Sequence, residues 1–284
     1  MMRGMFAAIS GLKVHQEMLD VTANDIANVN TIGFKSERTS FKDALSQLQH
    51  GASSPTGTLG GTNAAQIGLG VQLNGIDNEM QSGAIQSTGN PLDVAIQGDG
   101  MFRLVQDPNT LGTGTANYLY TRAGNFTTDA NGDLVTGEGY YVVGYQLDPN
   151  GVPQVGPGTE TKINIPASSQ SVTIGQDGVV TVVDATGAVN KIACISLAKF
   201  PNEAGLQRVA GNKWAASNNS GGELADAPSG SGLGTLASGS VEMSNVDLAQ
   251  EFTNMITAER GFQANSRVIT TADEMLQELV NLKR

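Results

Sequence analysis

Apolar residues recur at every seventh position at both ends of the chain. From Met5 the series runs Met5, Leu12, Leu19, Ile26, with a companion set Met2, Ile9, Gln16, Ala23. This spacing predicts an amphipathic helix with a coiled-coil-like seam over residues 1–30, ended by the Asn, Thr and Gly of "NVNTIGF". The far end repeats the pattern for longer. Leu248, Met255, Phe262, Ile269 and Leu276 keep step without a fault, and Ala258, Ala272 and Leu279 fall on the partner positions, with Asn265 the polar exception. A second helix is expected over residues 244–284, on the order of 55 Å long at about 1.5 Å per residue. Ser244 followed by Asp247 fits a capping box at its start, and Lys283 and Arg284 sit at its negative end. Gly261 and the Thr270–Thr271 pair are candidate bends.

Between the helices the period shortens. "LDVAIQGDGMFRL" (92–104) has an apolar run on each side of a Gly-Asp-Gly turn. Asn131-Gly132, Asp177-Gly178 and Thr186-Gly187 are hairpin or turn dipeptides set between such runs. Residues 75–215 are therefore expected to form an antiparallel sandwich or barrel-like domain. The flanking segments 31–74 and 216–243 are polar and rich in small residues, and are expected to be connectors. The fold class is α+β: paired terminal helices and a central antiparallel β-domain.

Composition trims this picture. With 36 glycines in 284 residues and 5% aromatics, the core should be thin for the length. The net charge of −11 with no basic stripe argues against nucleic acid and against an anionic membrane surface. No run approaches 18 apolar residues, so no spanning helix is expected. Lys13, His15, Gln16 and Glu17 follow the short apolar run Met5 to Ile9 at once, so no cleaved signal is expected. A single cysteine, Cys194, excludes an internal disulfide and sits in a strand-like apolar run.

Candidate chemistry is sparse. His15 is expected on the polar side of the first helix and His50 in a connector. Asp129, Asn131 and Asp133 begin like a calcium loop, but its sixth position is Leu134 and its twelfth Tyr140, so a hairpin turn is expected instead. No phosphate loop, nucleophile elbow or Cys/His metal spacing occurs. No catalytic, cofactor or metal residue is assigned, and an enzyme is not expected. The informative feature is the pair of apolar stripes. The C-terminal helix outlasts the other by about ten residues, which leaves stripe to cover and marks an interaction surface. Head-to-tail use of such a surface builds a helical filament.

"MLDVTANDIANVNTIGFKSERTSFKD" (18–43) resembles the N-terminal signature of the bacterial flagellar rod and hook family, with Asp25 where that family commonly has Asn. "VEMSNVDLAQEFTNMITAERGFQANSRVITTADEMLQELVNLKR" (241–284) is similar to its C-terminal signature, and "LDVAIQGDGMFRL" and "YTRAGNF" to its central domain. The resemblance implies a structural subunit of the flagellum whose terminal helices polymerise into a hollow tube. On that basis Leu12, Leu19 and Ile26 would meet Leu248, Met255, Phe262, Ile269 and Leu276 as the axial assembly interface. Asn28, Asn30, Gly33 and Phe34 would form the turn from helix to connector, the asparagines capping the helix end and Phe34 anchoring the connector. The implied partners are other copies of the chain, adjacent axial or junction proteins and the flagellar type III export apparatus. The implied location is the hook or basal body, outside the cell after export without a signal peptide. Within the family a compact hook protein, bending as a universal joint on hydrated connectors, is the first expectation, and a straight distal rod protein the alternative. A carbohydrate-binding or hydrolytic β-domain on a stalk would need paired carboxylates and stacking aromatics, whereas Trp214 is the one tryptophan.

Overall fold

The structure is a computed structural model that describes residues 2–55, 60–112, 116–156 and 158–282; Lys283 and Arg284 lie outside the described residues. Two units emerge, one of residues 1–27, 37–79 and 246–284, the other of residues 28–36 and 80–245.

In the first unit, helix α1 spans Met2–Ala27 and helix α2 spans Leu248–Asn281. Asp247, not Ser244, is the N-cap of α2, its carboxylate accepting from Ala249 N at 2.9 Å and Gln250 N at 3.4 Å. The helix is continuous through Gly261 and Thr270–Thr271. Gly11 faces Asn265 and, one turn on, His15 faces Gly261, so the helices run antiparallel. His15 thus lies toward α2 and not on the polar side; its ring also meets Phe41 edge-on at 6.4 Å.

Residues 37–50 and 65–78, expected as connector up to 74 and as part of the β-domain over 75–78, instead pair as the antiparallel strands of a ribbon within this unit. Glu37–Asp43 pairs with Val71–Asn78, and Ser46–His50 with Ala65–Gly68. The ribbon is tied to α1 at Ser10, whose hydroxyl accepts from Val71 N at 3.2 Å. Asp25, fully buried, accepts from Glu37 N at 3.0 Å where the chain re-enters the unit.

The second unit is built on a 13-stranded antiparallel sheet among the described residues. Its spine runs from Ser169–Ile174 through Val179–Asp184, Val189–Ile195, Tyr141–Gln146, Met101–Val105, Tyr118–Thr121 and Lys213–Ala215 to Gln207–Val209. Tight turns at 129–133, 175–178 and 184–187 join consecutive strands. Segment 216–243, also expected as connector, supplies further strands: Leu224–Asp226 pairs with Leu197–Lys199, Thr235–Ser238 with Val94–Gln97, and Ser240–Glu242 with Ile85–Ser87. Val94, Ile96, Phe102, Leu104, Val142, Val180, Ile195 and Leu197 form the main core. Trp214 is buried with Tyr120, Phe200 and Leu206 in a second one. Cys194 is buried, and burial pushes its thiol up to about 12.

The Asp129–Asp133 turn is closed by its own side chains and not by a cation loop's ligands. Asp129 accepts from Asn131 N and Asp133 N, both at 2.8 Å. Burial alone would raise the Asp133 carboxyl, but hydrogen bonds from Lys162 at 2.7 Å and Asn164 at 2.7 Å, with the lysine's charge, hold it below the usual carboxylate range. A depressed folded pKa makes its contribution present above the unfolded value and lost as pH falls through the folded one. Asp133→Asn is expected to cost about 1–2 kcal/mol at neutral pH, since Lys162 is partly solvated, and to flatten the acid side of the stability profile. Urea titrations at pH 7 and pH 3 check this; an equal loss at both would count against it.

Candidate assembly interface

The contact face of the helix pair is made by small residues. Ala258 and Ala272 on α2, and Ala8, Gly11, Val14 and Val21 on α1, are buried. A Cβ on Gly11 would stand 2.7 Å from Asn265 Nδ2, and one on Gly261 2.5 Å from the His15 ring, so a side chain at either glycine would have to displace the facing side chain. Of the expected interface positions, Leu12, Leu19, Ile26, Met255, Ile269 and Leu276 are half-buried. Leu248 and Phe262 are exposed, Phe262 at 37%. On α1, Leu12, Leu19 and Ile26 are less buried than Ala8, Gly11, Val14 and Val21. Ala8, Gly11 and Val14 were missed because small side chains leave no apolar stripe to detect.

A second apolar set stays open. Met2, Phe6 and Ile9 on α1, and Met275, Leu279, Val280 and Leu282 on α2, are all exposed. By the Gly11–Asn265 register Met2 is level with Glu274, so the last turns of α2 project past the start of α1. The ribbon adds Leu45, Leu48, Ile67 and Leu69, also exposed.

The turn residues belong to the second unit. Asn28 ends the helix: its carbonyl accepts from Thr31 N at 3.0 Å and its side-chain oxygen from Thr31 Oγ1 at 3.0 Å. Asn30 is exposed. Gly33 has φ +67° and donates to the Glu242 carbonyl at 2.8 Å. Phe34 is 3% exposed, and the Arg208 guanidinium lies over its ring at 4.8 Å and over Trp214 at 4.9 Å. Arg208 also donates to the Lys35 carbonyl at 2.6 Å, and Asn212 to the Ile32 carbonyl at 3.0 Å. Beside this turn lies a polar cleft of about 570 Å³, lined by Asn28, Asn30, Asn125, Glu138, Asn212 and Lys213 among others.

Sequence reasoning also missed the buried charges beneath the turn. Lys35 Nζ and the Glu242 carboxylate, 2.6 Å apart and both without solvent exposure, are joined by Arg122 at 3.1 Å. Burial lowers the Lys35 pKa, and Glu242 offsets that only in part. The partners stand 207 positions apart, so no local pattern could have paired them.

Little here suits bond-making chemistry. Among the described residues no group of three His, Cys, Asp or Glu side chains is placed to hold a metal. Two carboxylates do approach one centre: Glu160 and Glu223 both accept from buried Arg103, at 2.7 and 3.1 Å. Each also accepts from a tyrosine hydroxyl, of Tyr118 and Tyr120 respectively, and burial, followed by these bonds, raises both tyrosine pKa values. Carboxylates so engaged form a structural network, not an acid/base pair waiting for substrate.

Known proteins align with these features. The flagella basal body rod protein family matches residues 5–35, the flagellar hook protein FlgE/F/G D1 domain residues 95–182, and the flagellar basal body rod FlgEFG protein C-terminal family residues 237–282. The flagellar basal-body rod protein FlgG of Bacillus subtilis is 50% identical over the full length of both chains. That of Borreliella burgdorferi is 36% identical, again over all of both. The flagellar hook protein FlgE of the latter organism is 28% identical in an alignment of 449 positions that covers both chains. These are structural proteins of the flagellum and its basal body. With its two ends and its β-rich middle matched in this way, the chain belongs to the flagellar rod and hook protein family.

Proposed function

We propose that this chain is a structural subunit of the distal flagellar rod, a straight shaft polymerised through the terminal helices, with no catalytic role. The observation that carries the reading is the 50% identity to a basal-body rod protein along the whole of both chains. The hook relative needs 449 aligned positions, well beyond the 284 residues here. This reverses the order expected from the sequence, where hook came first. The hook reading relied on loose connectors to absorb changes in subunit spacing, but Glu37–Asp43 is hydrogen-bonded to Val71–Asn78 and Ser46–His50 to Ala65–Gly68, which supports stiffness.

The overhanging turns of α2, the Met2, Phe6 and Ile9 face and the apolar ribbon positions are the surfaces that neighbouring copies would cover. On this reading α2 faces a central channel and α1 packs outside it. The chain meets adjacent axial or junction proteins at the ends of its segment, and reaches the site through the flagellar type III export apparatus. The test is assembly of the purified full-length chain, followed by gel filtration and electron microscopy. Straight hollow tubes are expected; curved tubes would restore the hook reading. Monomers at every concentration would overturn the axial one.

A further inference from the structure

The most concentrated buried charge outside the helix pair lies where the chain passes out of the β-rich unit. That unit is left or entered at 27/28, 36/37, 79/80 and 245/246, and the last three of these places lie close in sequence to residues hydrogen-bonded around one carboxylate. Glu242 Oε1 accepts from Lys35 Nζ at 2.6 Å and from Gly83 N at 2.8 Å; Oε2 accepts from Arg122 at 3.1 Å. Its backbone carbonyl accepts from Gly33 N at 2.8 Å. Lys35 Nζ reaches on to the Gln81 carbonyl at 2.7 Å, and Arg122 to the Gly98 carbonyl at 2.9 Å. The side chain of Asn245 adds a second tie, accepting from Ser36 N at 2.8 Å and donating to the Gln81 carbonyl at 3.3 Å.

We infer that Glu242 is a positioning residue that locks the passages 33–36, 81–84 and 240–245 to one another, and that the lock must be closed for a subunit to assemble. Two buried cations converge on its single carboxylate, so removing that charge leaves Lys35 and Arg122 without the anion that bridges them, only the non-bonded Glu203 carboxylate still acting on both. Phe34 and Val241 are buried within these passages but belong to neither hydrophobic cluster, so the apolar core of the sheet does not by itself hold them. Losing the lock should therefore free the passages while the sheet stays folded, because local opening is governed by local contacts. The lock joins residues 207 positions apart, so it closes only once both ends of the β-rich unit are in place. The link to assembly rests on the rod-subunit reading above; the lock itself does not.

The experiment is hydrogen exchange of the full-length monomer, read by mass spectrometry, paired with pelleting of assembled tubes. In Glu242→Gln, amides in 33–36 and 81–84 are expected to exchange roughly 100-fold faster, with those of Met101–Val105 and Val179–Asp184 unchanged. Pelletable material should fall at least about tenfold at matched concentration. Glu242→Asp, which keeps the charge, should recover part of both effects. Val180→Ala, a core truncation at a fully buried position, should lower global stability while leaving the passages and the pellet alone. Unchanged exchange at 33–36, or equal loosening of passages and core strands, would overturn the lock. Normal pelleting alongside loosened passages would overturn its link to assembly. If Glu242→Gln does not fold, Lys35→Gln decides by the same readouts, since it leaves Glu242 with Arg122 and Gly83. A wild-type chain that never forms tubes would remove the subunit reading, while the exchange data would still judge the lock.

Discussion

Phe262→Asp is expected to leave the full-length chain a folded monomer and to abolish tube formation. In the monomer Phe262 is 37% exposed on the flank of the helix pair, so an aspartate there remains hydrated. The buried contacts of Ala258, Ala272 and Gly11 are untouched, and circular dichroism should match wild type. In a tube the same position would be covered by a neighbouring copy, and a carboxylate with no cation opposite it would lose its water. A penalty of about 3 kcal/mol per added subunit raises the concentration needed for assembly by more than roughly 100-fold. Ala258→Asp is the contrast: that residue has no exposure, so the charge should break the helix pair itself and lower helicity. Tubes of normal yield from Phe262→Asp would show that this face of α2 lies outside the assembly interface.

The contrast between those two positions marks what the sequence could and could not say. The sevenfold spacing located both helices, because a continuous stripe on a long helix is a strong periodic signal. It drew attention to the large side chains of Leu12, Leu19 and Ile26, which are half-buried, and not to Ala8 and Gly11, which are buried in the helix pair. The hairpin turns at 131–132, 177–178 and 186–187 were legible as well, since positive φ demands glycine there. The ribbon formed by 37–50 and 65–78 was not. Ser46–His50 is exposed at every position, so no face alternates, and its polarity is that of a linker. Its strands are specified by pairing with each other and by the tie at Ser10, which no window of sequence contains. The strands within 216–243 were hidden for a related reason: Thr235–Ser238 pairs with Val94–Gln97, and so many intervening residues leave no local trace. Lys35 and Glu242 are isolated charges in the sequence, and only the folded unit makes them neighbours.

Gly33→Ala is expected to cost about 3 kcal/mol in the β-rich unit, and a nearby glycine separates the two causes. With φ at +67°, alanine in place of Gly33 pays about 1 kcal/mol for left-handed backbone. Its Cβ would also stand 2.5 Å from Ala123 N and 2.8 Å from Ala123 Cα, both backbone atoms that can retreat only by moving the strand end. Gly139 has φ +85° and nothing within 4 Å of its Cβ position, so Gly139→Ala should pay the backbone cost alone. The difference between the two variants, about 2 kcal/mol, then measures how tightly the turn is seated against residues 122–123. Trp214 is the one tryptophan and shares Arg208 with Phe34, so its fluorescence reports the seating directly during urea titration. Gly33→Ala should shift that signal before the sheet unfolds, because displacing Gly33 also breaks its bond to the Glu242 carbonyl and draws Phe34 from under the guanidinium. Equal losses from the two variants, with a single coincident transition, would mean that the turn is held only by its own backbone preference and that the contact with Ala123 yields at no cost.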